Sequence, residues 1–331
     1  MAKIVLLLLI LGLTHSCFAN DISIKVFVLS LYHPQKLVIT TNNRIFHLNT
    51  SLQGEFFFQA QPGENIEISV NDSIRRIYRG SIRVTQKEKE LKVENVTPLE
   101  SYVAGVVAGE IGGGASPEFI KAQAILARTY ALNKSEKTEL SDLAYHQVFK
   151  GFSTLAKQYE FYSAKTTGMV LNDSGSIADI MYHGECGSAI YSAGEFWPVH
   201  GGYSIPGVLP SGMLQGEAWQ VSVSKEQLRR VFSGATTINR LAIAPITINL
   251  GNKKINAESF RLGINRQYGW NTIPSNEFTV QSTIDGWMLN GKGRGHLVGL
   301  CQQQANQLAM SGWRYEQLLA LFYPTFEIEP R

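Results

Sequence analysis

An α+β fold is predicted for this chain: a β-rich N-terminal region leading into a helical and mixed-sheet region that carries a cleft. Three observations predict it. Residues 20–95 divide into short segments with apolar residues at every second position. Two helices then follow within Thr97–Leu132, parted by Gly112-Gly113-Gly114. Short strands and short helices are mixed from there to the C-terminus. With 44% hydrophobic and 17% charged residues among 331, the chain can bury one large or two ordinary cores. The expected division is 1–19, a targeting segment; 20–95, the β-rich region; and 96–331, the catalytic region.

Met1–Ala19 reads as a signal peptide. Lys3 is the positive start, Ile4–Leu13 is an apolar run too short to span a bilayer comfortably, and Cys17-Phe18-Ala19 puts small residues at −3 and −1 before Asn20. An exported protein is expected, with no membrane span once the segment is removed. The formal net charge is only +3, and Lys87-Glu88-Lys89-Glu90 alternates in sign, which argues against a nucleic-acid partner. If Cys17 leaves with the signal, Cys186 and Cys301 remain, and two cysteines in an oxidising compartment are most often a disulfide.

In the β-rich region Ile22, Ile24, Val26 and Val28 alternate with Ser23, Lys25 and Phe27. Leu37–Thr40, Arg44–Leu48, Glu55–Phe58, Ile66–Val70, Ser73–Tyr78, Ser81–Thr85 and Leu91–Val93 are further strands, separated by turn residues such as Asn42-Asn43 and Asn71-Asp72. Nothing there carries chemistry.

Thr97-Pro98-Leu99-Glu100 offers an N-cap, a proline at the first helical position and an acid three residues after the cap. Leu99, Tyr102, Val103, Val106 and Val107 then form an apolar helix face. Glu110 lies about three turns beyond Leu99, on that same face, just before the glycines. Burial and the negative end of the helix dipole both favour the protonated carboxyl there, which makes Glu110 a candidate proton donor. A structural pairing with Arg128 is the alternative. Ser116-Pro117 starts the second helix, on which Arg128 either pairs with Glu110 or holds a substrate carboxylate.

Leu140–Lys157 reads as irregular, and Tyr159–Thr166 as a helix. Met169–Asn172 and Ile177–Tyr182 pair around Asp173-Ser174-Gly175-Ser176 and deliver His183-Gly184-Glu185-Cys186-Gly187. Phe196–Gly216 is an aromatic loop, with Trp197, Tyr203 and, nearby, Trp219 as sugar-stacking residues or ordinary anchors. Ser224–Phe232 is a short helix, Thr236–Leu250 strand-like, and Ala257–Gly263 the start of a helix. After strands at Glu277–Ile284 and Gly286–Leu289, Gly291–Gly299 alternates glycine with larger residues and holds His296. It lacks the spacing of a phosphate loop, and its glycines allow close backbone approach. Helices at Cys301–Met310 and Tyr315–Phe322 close the chain.

PLESYVAGVVAGEI with SPEFIKAQAILARTYAL resembles the signature of the sporulation stage II protein D family, also called the SpoIID/LytB family. There a PLE-x-Y-x-x-GVV-x-x-E helix precedes a KAQA-x-x-ART-Y-A helix. MYHGECGSAIYSAGEFW is similar to the family's H-x-x-CGG-x-T-x-x-A-x-x-x-W segment, and GRGHLVGLCQQQANQLAMSGW to its GRG-x-GHGVG-x-x-Q-x-GA-x-x-MA segment. Gly109 stands where the family often has Ala, Ser188 replaces the second glycine of a pair, and Leu297 replaces a glycine after His296.

The resemblance implies an exported protein of bacterial cell-wall metabolism, in the periplasm or on the cell-wall side of the inner membrane. Sporulation members are lytic transglycosylases that cut peptidoglycan glycan strands stripped of peptide stems; members of the other branch are described as enhancers of amidases, which makes a peptidoglycan amidase the alternative partner. The family's catalytic Glu falls on Glu110. Arg128, His183, His296 and Gln302 are the substrate-binding candidates. Some members hold zinc near the His-Cys turn. Here His183, Cys186 and Cys301, with Glu185, are the available ligands. A Cys186–Cys301 disulfide needs less and is favoured, so no cofactor is expected.

Overall fold

A computed structural model of the protein describes residues 22–61, 63–71, 73–143, 146–197, 216–241 and 246–331. The expected targeting segment, with Cys17, and most of the aromatic loop, with Tyr203, lie outside the described residues. The fold is α+β, as expected.

Strands β1 (Ser23–Val28), β2 (Lys36–Thr41), β3 (Arg44–Asn49), β4 (Glu55–Gln59), β5 (Ile66–Val70), β6 (Ile74–Tyr78), β7 (Ser81–Lys87) and β8 (Glu90–Pro98) form the N-terminal region. They make two sheets, β3-β2-β5-β6 and β4-β7-β8-β1, the latter extended by the short parallel strand β9 (Leu140–Ser141). Burial alternates as the sequence pattern requires: Ile24, Val26 and Val28 of β1 and Leu91, Val93, Asn95 and Thr97 of β8 point inward. The β2–β3 hairpin turns on Asn42-Asn43, whose φ values of 50° and 58° suit asparagine in the left-handed region.

β8 runs directly into α1 (Leu99–Ile111). The predicted Thr97 cap does not form: Thr97 pairs with Ile24 in the sheet, and Pro98 is the residue before the helix. Nor is α1 amphipathic. Ser101–Ala108 are all buried, because the helix is enclosed by the N-terminal sheets, α2 (Pro117–Ser135), α3 (Thr154–Ser163) and the 147–151 strap. α2 starts at Ser116-Pro117 as expected and is a wall shared by two cores. Ile120, Ala124, Ala127 and Ala131 face the N-terminal sheets, whereas Phe119, Ala122, Ile125 and Leu126 face the C-terminal region.

α3 begins at Thr154, capped by Ser153, inside the stretch read as irregular. Only Ala156, Tyr159 and Ser163 are buried on it, too few to give a helical period. Beyond it come β10 (Met169–Asp173), β11 (Ser176–Ile177), β12 (Tyr182–His183), α4 (Ala193–Phe196), β13 (Ala218–Ser224), α5 (Lys225–Val231), β14 (Asn239–Leu241), β15 (Thr247–Leu250), β16 (Lys253–Asn256), α6 (Ala257–Tyr268), β17 (Phe278–Ser282), β18 (Gly286–Lys292), β19 (Leu300–Cys301), α7 (Gln302–Met310), α8 (Tyr315–Phe322) and β20 (Glu327–Pro330). The β10–β11 hairpin turns on Ser174-Gly175 as expected, and β20 returns to pair with β10. β12 and β19 pair in parallel, setting His183 opposite Cys301.

The expected Arg128–Glu110 pair is corrected. Arg128 is fully buried, and its guanidinium binds both carboxylate oxygens of Glu100 at 2.7 and 2.6 Å and donates to the Met169 carbonyl at 2.8 Å. Glu100, read as a capping acid, thus ties α1 to α2, while Arg128 ties both to β10. Removing one partner of such a pair strands a buried charge. Glu100→Gln is expected to lower stability by about 3 kcal/mol, read from urea unfolding.

Candidate active site

Glu110 ends the last full turn of α1, where Gly112 (φ 62°) stops the helix. It opens into a cavity of about 610 Å³ whose walls come from both sides of α2. Tyr130 and Lys134 of α2, His146 and Val148 of the strap, Tyr182 and His183 of β12, His296, and Gln302 at the start of α7 line one part. Glu258, Arg261 and Asn265 of α6, with Trp197 and Trp270, line the rest.

The carboxyl of Glu110 accepts the Val148 N–H at 2.7 Å. Its exposure is intermediate because the cavity reaches it, yet the protein packed around it is dense enough to desolvate it. Burial therefore raises its pKa above the ordinary glutamate value, against smaller opposing effects of the Val148 N–H, the Tyr182 and Gln302 side chains and the Lys150 charge.

Tyr182 belongs to a buried relay. Tyr102 donates its hydroxyl to Gln147 Oε1 at 3.2 Å, and Gln147 Nε2 donates to the Tyr182 oxygen at 2.9 Å. The hydroxyl proton of Tyr182 is thereby left for Glu110.

Two neutral imidazoles form the wall beside it, with ring centroids 5.9 Å apart. His183 donates from Nδ1 to the Val298 carbonyl at 3.1 Å, and burial, then the neighbouring His296, lowers its pKa to about 3. His296 accepts the Val298 N–H on Nδ1 at 3.1 Å. Burial lowers its pKa to about 4, although the Glu258 carboxylate pulls the other way. Trp197 packs edge-on to His296 at 5.6 Å. Trp219 lies elsewhere, in a shallower hollow with Tyr191, Arg240 and Glu277.

The glycines of 291–299 give close backbone approach, and the partner is the 181–186 segment of the same chain. A Cβ on Gly293 would lie 2.4 Å from the Cys186 carbonyl oxygen, and one on Gly299 would lie 1.7 Å from that of Met181. Leu297, which replaces a glycine of the resembled signature, keeps the left-handed backbone at φ 67° and is fully buried.

Cys186 and Cys301 are joined by a disulfide across the β12–β19 pair. The unbonded Nε2 of His183 and the two sulfurs lie within 4.8 Å of one another. A zinc ion needs thiolates, and sulfurs bonded to each other are not thiolates. Glu185, the fourth candidate ligand, instead accepts from Arg294 Nε at 2.9 Å. The donor set as folded does not fit zinc.

Glu110, His183, His296 and Gln302 thus share one cavity. Arg128 does not: it is sealed between α1, α2 and β10. The wall that sequence reading missed is α6. Glu258 and Arg261 are joined by two bonds of 2.8 and 2.7 Å; burial, the largest single effect, raises the Glu258 pKa, but the charge and hydrogen bonds of Arg261, with His296 and Asn276, together hold it below its ordinary value. Asn265 grips the backbone of Ile273 through both N–H and C=O, fixing the turn that carries Trp270. Polar residues at 258, 261 and 265 repeat at helical spacing on a helix that also buries Phe260 and Ile264, and that stripe was the available signal.

One cavity thus holds a carboxyl pushed towards its protonated form, Glu110, and another held towards its ionised form, Glu258. Residues 87–177 match the family described as SpoIID, stage II sporulation protein, a span that includes α1, α2 and Glu110. The chain is 26% identical over 264 residues to stage II sporulation protein D of Bacillus subtilis (strain 168), covering 71% of this chain and 75% of that one. It is 25% identical over 269 residues to an uncharacterised protein of Brachyspira hyodysenteriae, covering 76% and 72%. It is also 23% identical over 281 residues to a Bacillus subtilis protein named amidase enhancer, covering 66% of this chain but 39% of that one. Over these residues the chain is similar to the SpoIID family.

Because the Glu110 pKa is raised in the folded state, its contribution to stability is full below the unfolded glutamate pKa and is lost as pH rises through the folded value. Glu110→Gln, which keeps an acceptor for Val148, is therefore expected to raise Tm by roughly a few degrees at neutral pH and to leave it unchanged or lower near pH 4, measured by calorimetry.

Proposed function

We propose that the protein is an exported lytic transglycosylase acting on peptidoglycan glycan strands, cutting the bond between N-acetylmuramic acid and N-acetylglucosamine in strands free of peptide. The observation that carries this reading is a single carboxyl, Glu110, kept towards its protonated form at the wall of a cavity large enough for sugar rings. Protonated Glu110 gives its proton to the glycosidic oxygen, and the C1–O bond breaks through an oxocarbenium-like transition state. Glu110, now a carboxylate, takes the proton of the muramyl 6-hydroxyl while that oxygen bonds to C1. The result is a 1,6-anhydro end, and the acid is restored. Gln302 and His296 would hold the substituents of the bound sugars. His183 packs against His296 on the same cavity wall, and Arg128, sealed from the cavity, has no substrate role.

A second reading has one specific observation in its favour. Glu258 gives the cavity a second, ionised carboxylate, the pattern of a two-carboxylate hydrolase. It replaces Glu185 in that role, since Glu185 is held by Arg294 and is not among the cavity-lining residues. A third reading, a wall-binding module that enhances an amidase, rests on the relative of that name. The similarity to stage II sporulation protein D supports a setting at the cell wall, outside the cytoplasmic membrane. Among the described residues no helix is long and apolar enough to cross a membrane.

Mass spectrometry of products from naked glycan strands separates the three. Anhydro ends are expected from the wild type, reducing ends would mean hydrolysis, and no products would leave the binding module. Glu110→Gln is expected to lower anhydro-end release by roughly 10²–10⁴ while remaining folded. Undiminished release by that variant would remove Glu110 from the mechanism.

A further inference from the structure

Two glycines on one face of α1, Gly105 and Gly109, serve no turn and have ordinary helical backbone. Glycine inside a helix is unfavourable by up to about 1 kcal/mol relative to alanine, so the space it leaves needs a user. The user is the strap at 147–151. A Cβ on Gly105 would come within 2.6 Å of the Phe149 ring, and one on Gly109 within 2.2 Å of the Val148 carbonyl oxygen. Pressed into these two slots, the strap turns its Val148 N–H onto Glu110 Oε1 at 2.7 Å. Its neighbour Gln147 is fully buried between the hydroxyls of Tyr102 and Tyr182. The strap is thus fixed on both sides of the bond it makes to the acid.

This rests on the lytic transglycosylase reading, in which Glu110 must pass through its charged form between two proton transfers. A carboxylate in a desolvated site at a helix C-terminus is unstable unless fixed donors meet it. We propose that Gly109 is a positioning residue: by leaving out a side chain it lets the strap deliver the Val148 N–H to Glu110, and that bond stabilises the carboxylate midway through the reaction.

The titratable and charged groups around Glu110 are Tyr102 on its own helix, Tyr130 and Lys134 on α2, Tyr182 on β12, His146 just before the strap and Lys150 on it. Burial raises all three tyrosines, so they remain neutral where Glu110 titrates. A shift on deleting the Val148 N–H with Lys150 left in place is therefore that of the lost donor.

Two variants test the proposal. Gly109→Ala forces the strap away, and replacing Val148 by its α-hydroxy acid analogue deletes the N–H alone. The Glu110 carboxyl is followed by carbon-13 NMR against pH, alongside the pH profile of glycan scission. In both variants the Glu110 titration is expected to move to higher pH, with kcat falling roughly tenfold, KM unchanged and the alkaline limb of the profile moving in the same direction. A titration that stays put or moves down in the α-hydroxy variant overturns the proposal, and that variant decides alone if Gly109→Ala fails to fold. Absence of anhydro ends from the wild type would instead defeat the functional reading, while the NMR titration would still report on the strap.

Discussion

The desolvation of one carboxyl at the C-terminal end of a buried helix governs the rest of this structure. Burial raises the pKa of Glu110, and the helix dipole at that end is equally unfavourable to its charge. Such a site is destabilising in itself, so it persists only where the surroundings leave it no alternative. α1 is enclosed on all sides, begins directly on a sheet strand and is tied to α2 by the Arg128–Glu100 pair. The packing that fixes α1 thereby holds Glu110 at the cavity wall.

The second half of the site is built by covalent and conformational means. The disulfide joins the two parallel strands that carry His183 and lead into Gln302. Glycines at 293 and 299 let the His296 segment lie against the β12 segment, with backbone contacts too close for any side chain. Leu297 holds a left-handed backbone normally left to glycine, a cost of about 1–2 kcal/mol that its complete burial offsets. The two histidines that result are neutral because they are desolvated, which suits them to hydrogen bonding rather than to carrying charge.

Much of this was legible in the sequence, for identifiable reasons. Glu110 was conspicuous because apolar spacing and a glycine stop together placed a carboxyl where water would be excluded. The need of Arg128 for a partner was legible too, but the partner was not. Glu100 and Glu110 lie on the same helix, and Glu100 had been assigned to a cap that the strand pairing of Thr97 prevents. α6 was cut short at Gly263, whose absent side chain makes room for the Phe232 ring, as a Cβ there would lie 2.6 Å from it. A glycine that serves packing reads in sequence like one that ends a helix, and Asn265, which fixes the turn carrying Trp270, lies beyond it. The strap was unreadable for a related reason: its contacts are to backbone and to empty slots, neither of which leaves a side-chain pattern.

Desolvation by the surrounding protein favours the protonated form of Glu110 beyond the pH at which a glutamate in water ionises, about 4.3. Infrared difference spectroscopy between wild type and Glu110→Gln, taken across the acid range, isolates this one carboxyl. The protonated C=O band is expected to persist above the ordinary glutamate range and to disappear only at higher pH. A band that vanishes with the pKa of a solvated glutamate would contradict it.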